Sequence, residues 1–216
     1  MRSLRHHLVR LGLGTVLLAL PGCALTSKAD PLEIRYFTPA EAPARSAAPA
    51  GDGARLRLGR LSASDHIRQR IVVRTSAVEL AALEDRRWTE KPEDYLRRAL
   101  ARALFEEAGL VHAISGAGPT HDVELLAFEE VRRGDERAAA VAMHVALHDD
   151  RVVLDSTTVR VEIPLEDGVD TTAPLAQAMG SALDQATRQI ATRVATRLAR
   201  SAQAPTTAAT SSSPAP

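Results

Sequence analysis

After Pro119 the chain settles into a period of two, and this constrains its fold more than any other feature. Val123, Leu125 and Ala127 alternate along one segment. Val141, Met143, Val145 and Leu147 share one face of the next. Alternation of this kind turns one face of a strand to the core and the other outward. Asp149-Asp150-Arg151 reads as a turn and Val152 to Ile163 as a further strand, so the segments around the turn form a hairpin. Consecutive strands at hairpin spacing predict a mainly antiparallel sheet.

A sheet with one apolar face needs a cover, and two helical patterns supply it. Pro92 suits a first turn, where its missing N–H costs nothing. Glu93 and Asp94 then sit at the positive end of the helix dipole. Leu96, Ala99, Leu100, Ala103 and Leu104 follow as an apolar stripe, and Gly109 can end the helix in the left-handed conformation. In the second pattern Thr171 or Thr172 caps a helix with Pro174 in its first turn. Its stripe is Leu175, Met179, Leu183, Ala186, Ile190, Val194 and Leu198.

Upstream, Glu33 to Phe37 reads as a short strand. Arg55 to Leu61 alternates strictly, and Ile71 to Arg74 is β-branched. Ser76 to Glu84 suits a strand or a helix equally. The order strands, helix, three strands, helix predicts an α+β domain over residues 31–200: a mainly antiparallel sheet with two α-helices packed on one face. Residues 38–53 are rich in proline and alanine without a hydrophobic period, which predicts a loop or tether. Residues 201–216 are Ala/Pro/Ser/Thr without charge, which predicts a disordered tail.

The N-terminus bears on location. Arg2, Arg5 and Arg10 precede an apolar run from Leu11 to Leu20, too short to span a bilayer, which needs ~20 residues. It fits a secretory signal over residues 1–22. Leu20-Pro21-Gly22-Cys23 closes it and resembles the bacterial lipobox. That resemblance implies cleavage before Cys23 and acylation of its thiol and new amine, with residues 23–30 as a lipidated tether. Three acyl chains would hold the protein on a membrane essentially permanently, where a single myristoyl chain gives only marginal binding. Ala24 follows, where an Asp would favour inner-membrane retention, so the expected place is the outer membrane.

Composition narrows the chemistry. The 216 residues hold 27 basic and 27 acidic side chains, and loss of the signal removes three arginines, leaving 24 basic against 27 acidic. No basic excess is left to neutralise phosphates, so nucleic acid is not an expected partner. Aromatics make up 3%, which predicts an aliphatic core and no surface that reads bases or sugars by stacking. Cys23 is the one cysteine, so acylation would consume the only thiol, and neither a disulfide framework nor a Cys-based metal cluster is expected.

Catalytic constellations are not evident. His144 and His148 are the best metal candidates, because an i, i+4 pair on a helix can share a zinc. Their surroundings read as a strand, which would put them ~13 Å apart, and no metal or cofactor is expected. Ser115-Gly116-Ala117-Gly118 lacks the Lys-Ser/Thr of a phosphate loop. Glu106-Glu107, Glu129-Glu130 and Asp149-Asp150 read as solvated faces, since neighbouring side chains point apart. Arg68, Arg70 and Arg74 can share a strand face; an exposed polar face explains them most simply, and contact with anionic lipid headgroups is the alternative.

The segment Arg86-Arg87-Trp88-Thr89-Glu90-Lys91-Pro92 is more distinctive. Trp88 is the only tryptophan and stands just before a helix start, where an indole can staple the strand-to-helix corner onto the core or serve as a binding hot spot. With the lipobox at Cys23, the Tyr36-Phe37 strand, Ile71 to Arg74, the Arg87-Trp88…Pro92 corner and the late hairpin and helix, the chain resembles the ABC-type transport auxiliary lipoproteins, the PqiC-like intermembrane transport group. The resemblance spans roughly residues 31–200; the insertion 38–53 is longer than its pattern leads one to expect.

The resemblance implies a non-enzymatic outer-membrane lipoprotein facing the periplasm. It would work with an MCE-domain protein and, through it, an inner-membrane permease and ATPase in intermembrane lipid transport. It further implies ring-like self-association, and marks Arg87, Trp88 and Pro92 as structural or partner-contact positions. The alternative is another outer-membrane biogenesis lipoprotein, of the lipopolysaccharide-assembly or secretin-helper type. A periplasmic enzyme is a third reading, which finds no supporting motif.

Overall fold

A computed structural model describes residues 31–43, 45–46, 53–116, 118–165 and 172–203. The signal, the lipobox at Cys23 and the tether 23–30 lie outside these residues. From Ile34 onward the chain forms one compact unit.

The elements are β1 (Arg35–Phe37), β2 (Arg55–Ala63), β3 (Arg70–Arg74), β4 (Leu80–Trp88), α1 (Pro92–Ala101), β5 (Val111–His112), β6 (Thr120–Arg133), β7 (Glu136–His148), β8 (Val153–Pro164) and α2 (Thr172–Gln203). A π-helical turn, Arg102–Glu107, continues α1, and Gly109 follows at φ 68, the left-handed conformation expected of it. The class is α+β, as the periodicity predicts. The ambiguous segment Ser76 to Glu84 becomes the first half of β4 after a turn. The short strand β5 carries no periodic signal and is not foreseen.

The long meander β6–β7–β8 is antiparallel throughout and forms the body of the sheet. β6 is the organising strand. Its N-terminal half takes β2 as a parallel neighbour, with Leu61 beside Val123, while its C-terminal half takes β3, with Val72 beside Glu129. β3 pairs antiparallel with β4, and β1 closes that end in parallel with β4. The sheet has eight strands and is mostly antiparallel by residues paired; the shorter pairings of β1, β2, β3 and β5 include parallel ones. A bulge between Leu125 and Ala127 shifts the phase of β6, so that Phe128 rather than Ala127 continues the inner face.

One face of the sheet builds the core. Ala139, Val141, Met143, Val145 and Leu147 of β7 pack with Leu96, Leu100 and Leu104 and with the whole expected stripe of the second helix, Leu175 to Leu198. α2 runs along β7 and β8 and touches α1. Arg193 holds Asp155 of β8 at 2.6 Å, and the Arg197 guanidinium donates to the Leu154 carbonyl, so the helix is tied to the outer strand of the meander. α2 continues to Gln203, past the boundary expected at residue 200, because Ser201, Ala202 and Gln203 tolerate helix; residues 204–216 lie outside the described chain.

Over its described part the insertion 38–53 is a loop, one of the two forms expected, and it is held against the fold. The Ala40 N–H donates to the Ala176 carbonyl at 3.0 Å, and Thr38 meets Thr89 through their hydroxyls at 2.9 Å. A side chain at Gly180 would stand 1.9 Å from the Ala40 carbonyl oxygen, so α2 needs a glycine where this strap crosses it. No hydrophobic period marks the strap, because it is held by backbone bonds and by one ion-pair cluster.

Candidate functional site

Three ion-pair clusters and one aromatic corner stand out, two of the clusters on opposite faces of the sheet and the third on α2. Trp88 ends β4 with 0% exposure. Its ring meets Phe128 edge-on, with centroids 5.2 Å apart, and Phe128 stacks with Tyr95 at 6.4 Å. The Trp88 backbone N–H donates to the Gln69 carbonyl, the indole N–H is buried without a partner among the described residues, and Phe37 of β1 lies in register beside the residue. Tyr95, one turn into α1, accepts the Glu90 N–H at 3.0 Å and shares a hydrogen bond with Thr89. Pro92 is buried as the first residue of α1. Strand, turn and helix are thus fastened around one aromatic trio, and the indole is not available to a partner.

Arg87 points the other way. It lies in register with Tyr36 on one side and Arg70 on the other. One of its guanidinium nitrogens donates to the Leu83 and Arg86 carbonyls.

The outer face of β6, β7 and β8 carries the first cluster. Glu129 and Glu130 are each 1% exposed. This corrects the expectation that this acidic pair is solvated. Glu129 accepts hydrogen bonds from Nε and one Nη of the Arg74 guanidinium, at 2.5 and 3.1 Å. Arg160 lies 4.0 Å from the same carboxylate and also pairs with Glu162, which Arg133 grips with two bonds. Arg133 first, and then Arg160, hold the Glu162 carboxyl down at about 2. Glu130 points to the opposite face, where Arg132 and Arg137 both donate to one of its oxygens at 2.7 Å. Burial pushes its carboxyl upward, and the two arginines outweigh that and bring it below its ordinary value.

Asp184 of α2 anchors the third cluster. It accepts hydrogen bonds from both Nη nitrogens of Arg45 from the strap, at 3.1 and 3.2 Å. Arg102 from the π-turn and Arg188 one turn along α2 close on it at 3.3 and 3.0 Å. Glu107 adds a second carboxylate 3.4 Å from Arg102, so this acid too is pair-bound rather than merely solvated. A cleft of about 170 Å³ opens beside the cluster, lined by Pro39, Tyr95, Arg98 and Leu183 among others.

The histidines divide. His144 and His148 share the outer face of β7, as a strand predicts. His144 bonds to Thr158 and Ser156, and His148 to Asp122 at 3.2 Å. Among the described residues no group of three or more metal-ligating side chains comes together. His121 is the one that sequence reasoning passed over. It is 0% exposed, neither ring nitrogen has a partner among the described residues, and burial lowers its pKa to about 4. The signal was present, because His121 stands two residues before Val123 and four before Leu125, in phase with the core face.

Among the described residues no helix is long and apolar enough to cross a membrane. Residues 36–191 match the model of the ABC-type transport auxiliary lipoprotein component. No curated protein sequence matches the chain. Among solved structures, protein XCC0632 from Xanthomonas campestris is similar at 25% identity and a TM-score of 0.64, covering 79% of this chain and 99% of that one. A hypothetical protein from Chlamydia trachomatis shares the fold at 9% identity and a TM-score of 0.50, over 68% of this chain and 99% of its own. The family match takes in the sheet from Tyr36, the Trp88 corner and most of α2, and by it the chain belongs to the family of ABC-type transport auxiliary lipoprotein components.

Proposed function

We propose that this protein is an outer-membrane lipoprotein, held by acyl chains on Cys23 and facing the periplasm. It serves as a non-catalytic auxiliary component of an MCE/ABC-type intermembrane lipid transport system. In this reading it docks the periplasmic conduit built by an MCE-domain protein, while an inner-membrane permease and ATPase supply the energy. The observation that carries the reading is the family match over residues 36–191, which spans nearly all of the folded unit. The lipobox-like Leu20-Pro21-Gly22-Cys23 supplies the anchor, and Ala24 supports outer-membrane sorting. With Trp88 committed to the core, the indole itself is not part of the partner surface.

The test is capture of the tagged full chain from solubilised envelopes, with chelator present and no nucleotide added. An MCE-domain protein is the expected companion, and recovery of a secretin or a β-barrel subunit in its place would transfer the protein to another outer-membrane assembly. In parallel, the wild-type chain should incorporate labelled palmitate and float with outer membranes, and Cys23→Ala should do neither.

A further inference from the structure

The outer face at the β1–β4–β3 end of the sheet differs from the rest of that face. Along β6, β7 and β8 the arginines are spent on carboxylates. At this end Tyr36, Arg87 and Arg70 stand side by side on three neighbouring strands. Arg70 is exposed and directly opposite Arg87, and like charges placed opposite one another across a ladder destabilise it. No carboxylate among the described residues pairs with either: Asp85 on the same strand is taken by Arg86, and Asp65 by Arg68. Beside them Tyr36 is 61% exposed and Ile34, two residues back along the extended chain, 44%. Uncompensated arginines flanked by an exposed tyrosine and an aliphatic side chain form the combination that suits a lipid–water boundary.

The chain itself says which surface is near. From Cys23 to Arg35 is twelve residues, a reach of at most about 40 Å even when fully extended. β1 is the first element after the anchor, and it carries Tyr36. We propose that this corner, formed by Ile34, Tyr36, Arg87 and Arg70, is a membrane-contact face for an anionic phospholipid surface, and that it sets the orientation of the domain on the membrane that holds it. The proposal rests on acylation at Cys23 in the reading above. The acyl chains supply the affinity; the corner supplies the pose. Each arginine near an anionic surface shifts the contact equilibrium roughly fivefold.

The acylated full chain has no free thiol, so Ile34→Cys creates a single site for an environment-sensitive nitrobenzoxadiazole label. The protein is reconstituted in vesicles of phosphatidylcholine alone, or of phosphatidylcholine with phosphatidylglycerol. In the mixed vesicles at low salt, the label should emit further to the blue and resist iodide quenching. Neutral vesicles or high salt should remove the effect. Arg70→Gln with Arg87→Gln should lower the contact equilibrium by on the order of 25-fold, two charges at the same cost each. Arg70→Lys with Arg87→Lys should retain it, which separates lost charge from a disturbed strand. A label equally exposed in both vesicle types, or shielded only when envelope proteins are added, would overturn the proposal and leave the anchor standing. A chain that takes up no labelled palmitate would overturn both.

Discussion

β7 presents the same backbone to two different problems. On its inner face Ala139, Val141, Met143, Val145 and Leu147 meet the two helices and are covered by bulk. On its outer face Ala138, Ala140 and Ala142 are nearly as inaccessible, yet they belong to no apolar cluster. Ala140 lies in register between Glu129 and Glu162, and Ala142 is flanked by Arg160. Small side chains there leave a shallow floor over which the paired arginines and glutamates lie. The inner face is therefore held mainly by area removed from water, with the Glu130–Arg132–Arg137 cluster at its far end, and the outer by charges that satisfy each other. The two kinds of cover should answer differently to truncation, to pH and to salt.

The largest difference should come from the aromatic corner. Trp88→Ala removes a fully buried indole and the edge contact to Phe128, at a cost of about 3–5 kcal/mol. Tyr36→Ala, in register one residue away on the exposed side, should stay within about 0.5 kcal/mol. Chemical denaturation of the two variants side by side measures the contrast. Equal losses would mean that β1 and its exposed side are part of the core.

The second effect belongs to His121. Its folded pKa is about 4, below the ordinary value near 6.5, because burial disfavours the charged ring. As pH falls through 6.5 the unfolded chain takes up a proton that the folded chain refuses. Stability should fall until about pH 4 and then level off, by about 3 kcal/mol in all. His121→Leu should flatten the pH 6.5–4 limb of a denaturation series, and added salt should leave that limb in place, since desolvation rather than a screened pair causes it. A limb unchanged in His121→Leu would assign it to other groups.

The third contrast tests the alanine floor. Glu129→Gln leaves Arg74 without its carboxylate, but that guanidinium is partly exposed and can hydrate, so a loss of about 2 kcal/mol is expected. Ala140→Leu should cost a comparable amount by lifting Glu129 and Glu162 off the floor, and Ala139→Leu more, because the helices cannot move aside. Urea unfolding of the three variants ranks them. A larger loss for Ala140→Leu than for Ala139→Leu would show the outer face to be the more tightly packed of the two.

What the sequence revealed follows the same division. The inner face was legible because it repeats: the β7 alternation, the stripe from Leu96 to Leu104 and the stripe from Leu175 to Leu198 all emerge as expected. The outer face was not, because its logic joins residues far apart in the chain. Glu129 needs Arg74, 55 residues earlier, and nothing local distinguishes it from a solvated acid. Asp184 likewise depends on Arg45, 139 residues earlier, across a strap with no period. The bulge at Leu126 hid the phase change that turns Phe128 inward. Trp88 was legible as a corner residue, since a lone indole ahead of Pro92 has few other places to go. The edge strand β5, two residues long, was beyond any periodic argument.

The smallest effect separates the faces by salt. Glu162 titrates at about 2 in the folded chain, below its ordinary 4.5, with Arg133 and then Arg160 holding it down. That stabilisation is fully present above pH 4.5 and is lost as pH falls toward 2, a window below that of His121. Arg133 is more than half exposed, so water and ions screen most of the pair, and a contribution of about 1 kcal/mol or less is expected. Glu162→Gln should remove the lower part of the acid limb and leave the part between pH 6.5 and 4 untouched. Raising the ionic strength should do the same to the wild type, because the charges face solvent. His121→Leu and Glu162→Gln lie on opposite faces and share no partner, so their effects should add in the double variant. If they do not, the sheet transmits strain between its two faces, and the separation of an apolar side from an ionic side would have to be given up.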